Sequence, residues 1–278
     1  MVETIKETIR NTTVKNIITW RAKAMHQEIN ITKKEKTLIV IPTYNENENI
    51  VPLLAQIHEN VPWVDILVVD DQSPDGTGEV VRNFSKAISE MPEKSEEDTG
   101  KVILMEREGQ RGLGFAYRAG LKYGMDHGYE ILFTMDADHS HNPAHLPFML
   151  AALQNCDVVI GSRYMRDGGT INWRIRRILL SWLANRFARF IIGVKGSDLT
   201  SGFRGYRRRV LEPIDLEKMR SNGYSFLVEM LFRTQQCDAK IAEVPIIFFD
   251  RSMGKSKISK KEIYRGAFTL FRLRISGK

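Results

Sequence analysis

Five short apolar runs, each ending abruptly in polar residues, constrain the fold of this chain more than any other feature. Leu38-Ile-Val-Ile41 runs into Pro42-Thr-Tyr44-Asn-Glu46, and Ile66-Leu-Val-Val69 runs into Asp70-Asp71. Val102-Ile-Leu-Met105 precedes Gly109 to Gly114, Ile131 to Met135 precedes Asp136, and Val158-Val-Ile-Gly161 precedes Ser162-Arg163. Helical patterns lie between them: Ile50, Leu53, Leu54 and Ile57 share one face, and Ser73-Pro-Asp75-Gly76-Thr77 is a turn that can start a helix. Short apolar runs alternating with amphipathic helices predict an α/β fold with a mostly parallel central sheet and helices on both faces. Such sheets bind ligands outside the carboxyl ends of their strands. Tyr44, Asp70, Asp136 and Arg163, at four of the run ends, are therefore expected to converge.

The fourth run ends in Asp136-Ala137-Asp138-His-Ser140. A strand points alternate side chains to one face, so Asp136 and Asp138 can face the same way where the strand frays. Two hard oxygen ligands suit Mg²⁺ or Mn²⁺, which leaves other positions for water and substrate phosphates. The plain alternative is a polar exit from a strand, and the pair alone does not decide between them.

The ordered set PTYNE, VVDDQSPDGT, RGLGFAYRAGLKYG, MDADHSHNP, GSRY, DLTSGFRGYRR and VPIIFFDR…GKSK resembles the family 2 glycosyltransferases. Within them it is similar to the dolichol- and polyprenol-phosphate mannose synthases, over about residues 37 to 260. The resemblance implies a nucleotide-sugar-binding, Rossmann-like fold of the GT-A type, GDP-mannose as donor and a polyprenyl (dolichyl) phosphate as acceptor. It implies a nucleoside pocket lined by Pro42, Tyr44 and Glu46, with Asp70 on the base or ribose and the backbone of Val68 nearby. Asp136 and Asp138 would hold the cation, with Ala137 admitting the sugar or its phosphates close to the backbone. Ser140 stands at the position of a third ligand, where many prokaryotic relatives carry glutamine. Arg251 and Lys257 flank a glycine-bearing stretch that could close over the diphosphate; a solvated basic loop is the alternative. Arg163 and Arg177, with Ser181 beside them, are the candidates for the acceptor phosphate, Arg163 also reaching the donor, because a forked guanidinium fixes phosphate oxygens well. A phosphate acceptor is already a nucleophile, and no general base is assigned. His139, His141 and His145 read as packing or turn residues, and Glu229 could position sugar hydroxyls.

Net charge of +7 suits an anionic partner, whether nucleic acid, phosphorylated substrate or an acidic membrane surface. No nucleic-acid-binding motif is present. Cys156 and Cys237 sit in apolar stretches and read as small buried hydrophobes. There is no signal-peptide pattern and no run of about 18 predominantly apolar residues, so the expectation is a peripheral protein on the cytoplasmic face of a membrane. Residues 174–193 offer the contact. Arg174, Arg177, Ser181, Asn185 and Arg189 fall on one narrow helical stripe, with Ile175, Leu179, Trp182, Leu183, Phe187 and Phe190 on a broad arc. An interfacial helix and a core-facing helix both fit that pattern; the resemblance, which sets this region beside the lipid-phosphate site, favours the former.

Residues 1–36 form an N-terminal extension read as helical, outside the resemblance, and 37–278 form the catalytic domain with its basic C-terminal region. The extension, or a membrane-anchoring partner subunit, is a further route to the membrane. Three rivals to the mannosyl reading remain: a family 2 enzyme taking UDP-glucose, one acting on a hydroxyl acceptor, and a non-catalytic nucleotide-sugar binder. The Gln-x-x-Arg-Trp motif usual in processive hydroxyl-acceptor members is absent.

Overall fold

Leu38, Ile39, Val40 and Ile41 are all fully buried, yet they belong to two different cores. Leu38 and Val40 join one apolar cluster and Ile39 and Ile41 the other, as the alternation of a strand covered on both faces requires. The computed structural model describes residues 35–90, 99–219, 221–250 and 260–276. Arg251, Lys257 and all but the last two residues of the 1–36 extension lie outside the described residues.

The chain alternates as its apolar runs predict. β1 (Thr37–Thr43), α1 (Asn47–Asn60), β2 (Asp65–Asp70), α2 (Thr77–Ser89), β3 (Val102–Glu106), α3 (Leu113–Asp126) and β4 (Ile131–Thr134) follow in order. A short 3₁₀ turn, Pro143–His145, leads into α4 (Leu146–Ala152), then β5 (Val158–Ser162), β6 (Gly169–Ile171) and α5 (Ile175–Ile192). β7 (Arg204–Arg207), α6 (Arg208–Leu211), α7 (Tyr224–Gln236), β8 (Ile241–Pro245), β9 (Ile247–Phe249) and α8 (Lys260–Ser276) complete it. Asp75 closes the turn that leads into α2, its Oδ1 accepting from the Thr77 hydroxyl at 2.6 Å and the Thr77 N–H at 3.1 Å, while Gly76 is the residue that caps the helix.

The main sheet has seven strands in the order β3-β2-β1-β4-β7-β5-β8, and β6 pairs with β9 in a separate two-stranded sheet. Every strand of the main sheet runs the same way except β7, which is antiparallel to both β4 and β5. β7 has the sequence Arg-Gly-Tyr-Arg, unlike any buried strand. It forms because Arg204, with no exposed surface, satisfies its guanidinium entirely on backbone carbonyls: Ser201 at 2.8 Å, and Leu227 and Leu199 each at 2.6 Å.

Candidate active site

Strand order sets the carboxyl ends of β2, β1 and β4 side by side, with β5 one strand further along beyond β7. The turns after β1 and β2 are bound to each other. Asp71 N–H donates to the Thr43 carbonyl at 3.0 Å, Asn45 N–H to Ser73 Oγ at 2.9 Å, and Glu46 N–H to Thr77 Oγ1 at 3.0 Å. Asp70 is the knot: its Oδ1 accepts from the hydroxyls of Thr43 (2.8 Å) and Ser73 (2.6 Å), and its Oδ2 accepts from Ser73 N–H at 2.8 Å. At 2% exposure, Asp70 holds the turn after β2 together, and contact with the base or ribose is a matter of proposal. Val68 is likewise inside, in mid-ladder between β1 and β3 with its side chain in the core. Pro42, Tyr44 and Glu46 keep part of their surface open at the strand ends.

Two arginines that sequence reasoning did not single out complete this side. Arg111 donates to the Tyr44 hydroxyl at 2.8 Å and lies over its ring, 4.6 Å from the centroid. Arg107 pairs with Asp71 at 2.7 Å, and Asp71 also accepts the Gly112 N–H at 2.7 Å, so one buried carboxylate fixes the whole turn entering α3.

At the end of β4, Asp136 has 21% of its side chain exposed and Asp138 is buried to 7%. Tyr117, from α3, donates its hydroxyl to Asp136 Oδ1 at 2.7 Å. Burial, and then the charge of Asp136, push the Tyr117 phenol well above its usual pKa, so it stays a donor. Asp136 N–H donates to His141 Nδ1 at 3.1 Å, and burial lowers the His141 pKa and keeps that ring neutral. His141 packs against Phe203 and Phe248, and burial pulls His145 down to a pKa of about 4, so both are packing residues. Ser140 N–H donates to Asp138 Oδ1 at 3.1 Å, while the buried Ser140 Oγ has no hydrogen-bond partner among the described residues. Two carboxylates, one reaching solvent, with an orphaned hydroxyl beside the second fit a hard divalent cation that keeps most of its coordination for water or substrate oxygens. Among the described residues no three His, Cys, Asp or Glu side chains form an all-protein cage.

Arg163 does not turn its fork to the opening. Its Nε and Nη2 donate to Asp198 at 2.6 and 2.7 Å and Nη2 also reaches Thr200 Oγ1 at 2.8 Å, all in the interior. It is held in a buried ion pair whose partner lies 35 residues away in the sequence, and contact with phosphate is a matter of proposal. Arg177 stays half-exposed: Nη1 donates to both oxygens of Asp250, at 2.8 and 3.0 Å, and the guanidinium lies 3.9 Å from the centroid of Trp173. Ser181 follows one helical turn later, half-buried, its carbonyl accepting from Asn185 at 2.8 Å. Glu229 is a buried acceptor for Arg233 (2.7 Å), Arg272 (2.9 Å) and the Ser221 N–H (3.3 Å), which removes it from sugar binding.

On α5 the polar stripe, apart from Arg174 at its start, faces the body of the protein. Asn185, 1% exposed, accepts the Leu199 N–H at 2.8 Å there. The broad apolar arc faces outward, with Ile175 83%, Leu180 68% and Phe190 84% exposed, and Trp182, Leu183 and Phe187 between them. A core-facing helix would show the reverse. α8 packs beside α5 and adds exposed Phe268, Phe271 and Ile275.

Comparison with known proteins agrees with this architecture. The family described as "Glycosyl transferase family 2" matches residues 38–215. The chain is 42% identical over 245 residues to the polyprenol monophosphomannose synthase of Mycolicibacterium smegmatis, covering 88% of this chain and 89% of that one. It is 42% identical over 224 residues to the undecaprenyl-phosphate mannosyltransferase of Micrococcus luteus, covering 81% and 88%. Among solved structures, glucosyl-3-phosphoglycerate synthase from Mycobacterium tuberculosis, with Mn²⁺, UDP-glucose and phosphoglyceric acid, superposes with a TM-score of 0.62 at 17% identity, over 88% of this chain and 82% of that one. The same enzyme with Mg²⁺ and UDP gives a TM-score of 0.59 at 17% identity, over 90% and 82%. At that identity the likeness is one of fold.

Proposed function

The chain belongs to glycosyl transferase family 2, and from that premise we propose that it transfers mannose from GDP-mannose to the phosphate of a polyprenyl (dolichyl) lipid, with inversion at the anomeric carbon. The observation that carries the reading is an aromatic chain that links the two sides: His141, bound to the Asp136 N–H, meets Phe248, Phe248 meets Trp173, and Trp173 lies under Arg177 of a helix whose apolar arc is turned outward. Likeness over most of their length to two enzymes named for mannosylating polyprenyl phosphates supports the sugar and the acceptor.

The acceptor brings its own nucleophile. A phosphate monoester has its second pKa near about 6 and is mostly dianionic at neutral pH, so no residue need remove a proton. An acceptor oxygen attacks the anomeric carbon from the face opposite the diphosphate; that C–O bond forms as the bond to the donor's diphosphate breaks, and the electron pair leaves with GDP. Asp136 and Asp138, with Ser140 as third donor, would hold Mg²⁺ or Mn²⁺. When bound, the cation supplies charge stabilisation to the departing diphosphate. Pro42, Tyr44 and Glu46 flank the nucleoside, with Arg111 bracing Tyr44. Ala137 turns its methyl into the core, so any approach of the donor there would be to its backbone. Arg177 exchanges its carboxylate partner Asp250 for the acceptor phosphate, with Ser181 one turn behind. Arg163, oriented by its pair with Asp198, remains proposed for the acceptor phosphate and the donor side. Arg251 and Lys257 remain proposed for the donor diphosphate.

The lipid tail makes a bilayer the workplace. No described helix is long and apolar enough to cross one. The outward arc of α5, continued by Phe268, Phe271 and Ile275 on α8, with Arg174, Arg176 and Arg186 exposed nearby, supports peripheral attachment on the cytoplasmic side, with the basic excess drawn to anionic lipid. A membrane-anchoring partner subunit is the alternative route. Incubation with GDP-mannose radiolabelled in the sugar, polyprenyl phosphate and Mn²⁺ should move label into organic-extractable, acid-labile lipid. Label that stays in the aqueous phase, or equal transfer from UDP-glucose, would overturn the reading.

A further inference from the structure

The Tyr117 ring is fully buried and stacks on Phe226 at 6.1 Å between centroids. A phenylalanine would fill the same space. The hydroxyl is the part that needs explaining, because a buried phenol must find a partner to offset its desolvation. Its partner is Asp136 Oδ1, at 2.7 Å. Asp136 gains little solvation from that bond, since its own side chain is 21% exposed and open to water. What the bond gives it is direction.

The surroundings bring the two groups together. α3 lies unusually close on the sheet: a Cβ at Gly120 would stand 2.2 Å from Val40 Cγ1, and one at Gly124 would stand 2.3 Å from Leu132 Cδ2. Tyr117 sits one turn before Gly120, so this close seating carries its hydroxyl to the end of β4. On the opposite side lies Gly202, held to β4 by the Thr134 hydroxyl, which donates to the Gly202 carbonyl at 2.8 Å. A Cβ there would meet Asp136 Oδ1 at 3.1 Å, Oδ2 at 3.3 Å and the Tyr117 oxygen at 3.3 Å. With the Asp136 N–H fixed on His141, backbone and carboxylate are both held.

We infer that Tyr117 is a positioning residue: its hydroxyl fixes the Asp136 carboxylate in the orientation that binds the cation, and Gly202 leaves the room for it. The inference rests on the reading that Asp136 and Asp138 hold the metal. Groups that orient a metal ligand without touching the metal alter affinity by about 10-fold or more when removed.

The test uses the full chain with GDP present, and titrates Mn²⁺ while free Mn²⁺ is read by electron paramagnetic resonance. Tyr117→Phe should unfold at the wild-type temperature, bind Mn²⁺ about 10-fold more weakly and need correspondingly more Mn²⁺ for half-maximal turnover, with KM for the acceptor unchanged. Gly202→Ala should do the same from the other side, and stands in if Tyr117→Phe is poorly folded. If both variants keep Mn²⁺ affinity within roughly two-fold of wild type while Asp138→Asn loses it, Tyr117 is a packing residue; the inference is overturned and the metal reading stands. If wild type takes up no Mn²⁺ and turns over in excess chelator, the metal reading fails and the inference with it.

Discussion

Asp198→Asn should cost this protein more stability than most single changes, because it leaves the buried Arg163 guanidinium without its charged partner. Asp198 has no exposed surface and the Arg163 side chain only 6%, with the two in a forked pair at 2.6 and 2.7 Å. Asparagine keeps the shape but removes the charge, and can turn an NH₂ donor towards guanidinium donors. Breaking one side of a buried pair costs about 3–5 kcal/mol, because the other charge stays buried and uncompensated. For a domain of this size each kcal/mol is worth about 2–4 °C, so the unfolding temperature should fall by about 6–20 °C. Replacing both partners, Arg163→Met with Asp198→Leu, should recover most of that loss, since the desolvation cost disappears along with the attraction. The effect has a pH signature. Burial alone would raise the Asp198 pKa, but the charge and hydrogen bonds of Arg163 outweigh it and hold the carboxyl below its ordinary value. Its stabilisation is therefore complete above the unfolded pKa of about 3.9 and is lost as pH falls through the lower folded value. The gap between wild type and Asp198→Asn should hold at pH 7 and 5 and narrow only below about pH 4. Thermal unfolding followed by circular dichroism across that range measures it. A variant that unfolds at the wild-type temperature would refute the reasoning. So would an Arg163→Lys enzyme that unfolds at the wild-type temperature, since lysine cannot make the forked pair.

Other outcomes follow from single residues. Asp138→Asn, nearly isosteric and still able to accept the Ser140 N–H, should abolish transfer at an unchanged unfolding temperature; normal turnover would remove the carboxylate pair from the mechanism. GDP-mannose should raise the unfolding temperature more than UDP-glucose does, by mass action on the native state, and equal or greater protection by the uridine nucleotide would favour a glucosyl donor. His145, with a folded pKa of about 4 against about 6.5 unfolded, resists a proton that the unfolded chain accepts. Stability should thus fall by about 3 kcal/mol as pH drops from 6.5 to 4, a slope absent from His145→Gln in urea titrations; parallel profiles would contradict it. Replacing Trp182 and Phe187 with serine should weaken binding to acidic vesicles and reduce turnover of long-chain lipid phosphate far more than of a short soluble analogue, and an equal loss on both would deny α5 a membrane role.

Four of the five apolar runs became β1, β2, β4 and β5 because they are buried on both faces and carry their signal in nearly every residue, while β3, at the sheet edge, is mostly half-buried and keeps the signal in Val102 to Met105. β7 was invisible for the opposite reason. Arg204 and Arg207 make it look like a surface turn, and only carbonyls from residues 199, 201 and 227 render Arg204 acceptable inside. The strand-end positions of Tyr44, Asp136 and Asp138 could be read from pattern, since parallel strands must end on one side. The inward commitments of Asp70 and Arg163 could not. Ser73 lies three residues from Asp70 in an ordinary-looking turn, and Asp198 is 35 residues from Arg163. For α5, sequence showed two faces without saying which one the body would take, and Asn185 meeting the Leu199 N–H decided it.

The reversed strand explains why so much of the site depends on one short loop. In a sheet whose other strands all leave at one edge, an antiparallel strand must enter from that edge, so the residues before it have to pass through the site. Here those are residues 198–203. Asp198 and Thr200 hold Arg163 at the end of β5, Gly202 lies against Asp136 at the end of β4, and the carbonyls of Leu199 and Ser201 hold Arg204 at the start of β7. Asn185 of α5 accepts the Leu199 N–H, so the same loop also anchors the helix proposed to meet the lipid. A disturbance at Asp198 or Leu199 should reach both the cation side and the acceptor side, whereas Gly202 touches the cation side alone. Substitutions in the loop are therefore expected to be non-additive with those at Asp136 and Arg177, since residues sharing one network couple where distant ones add.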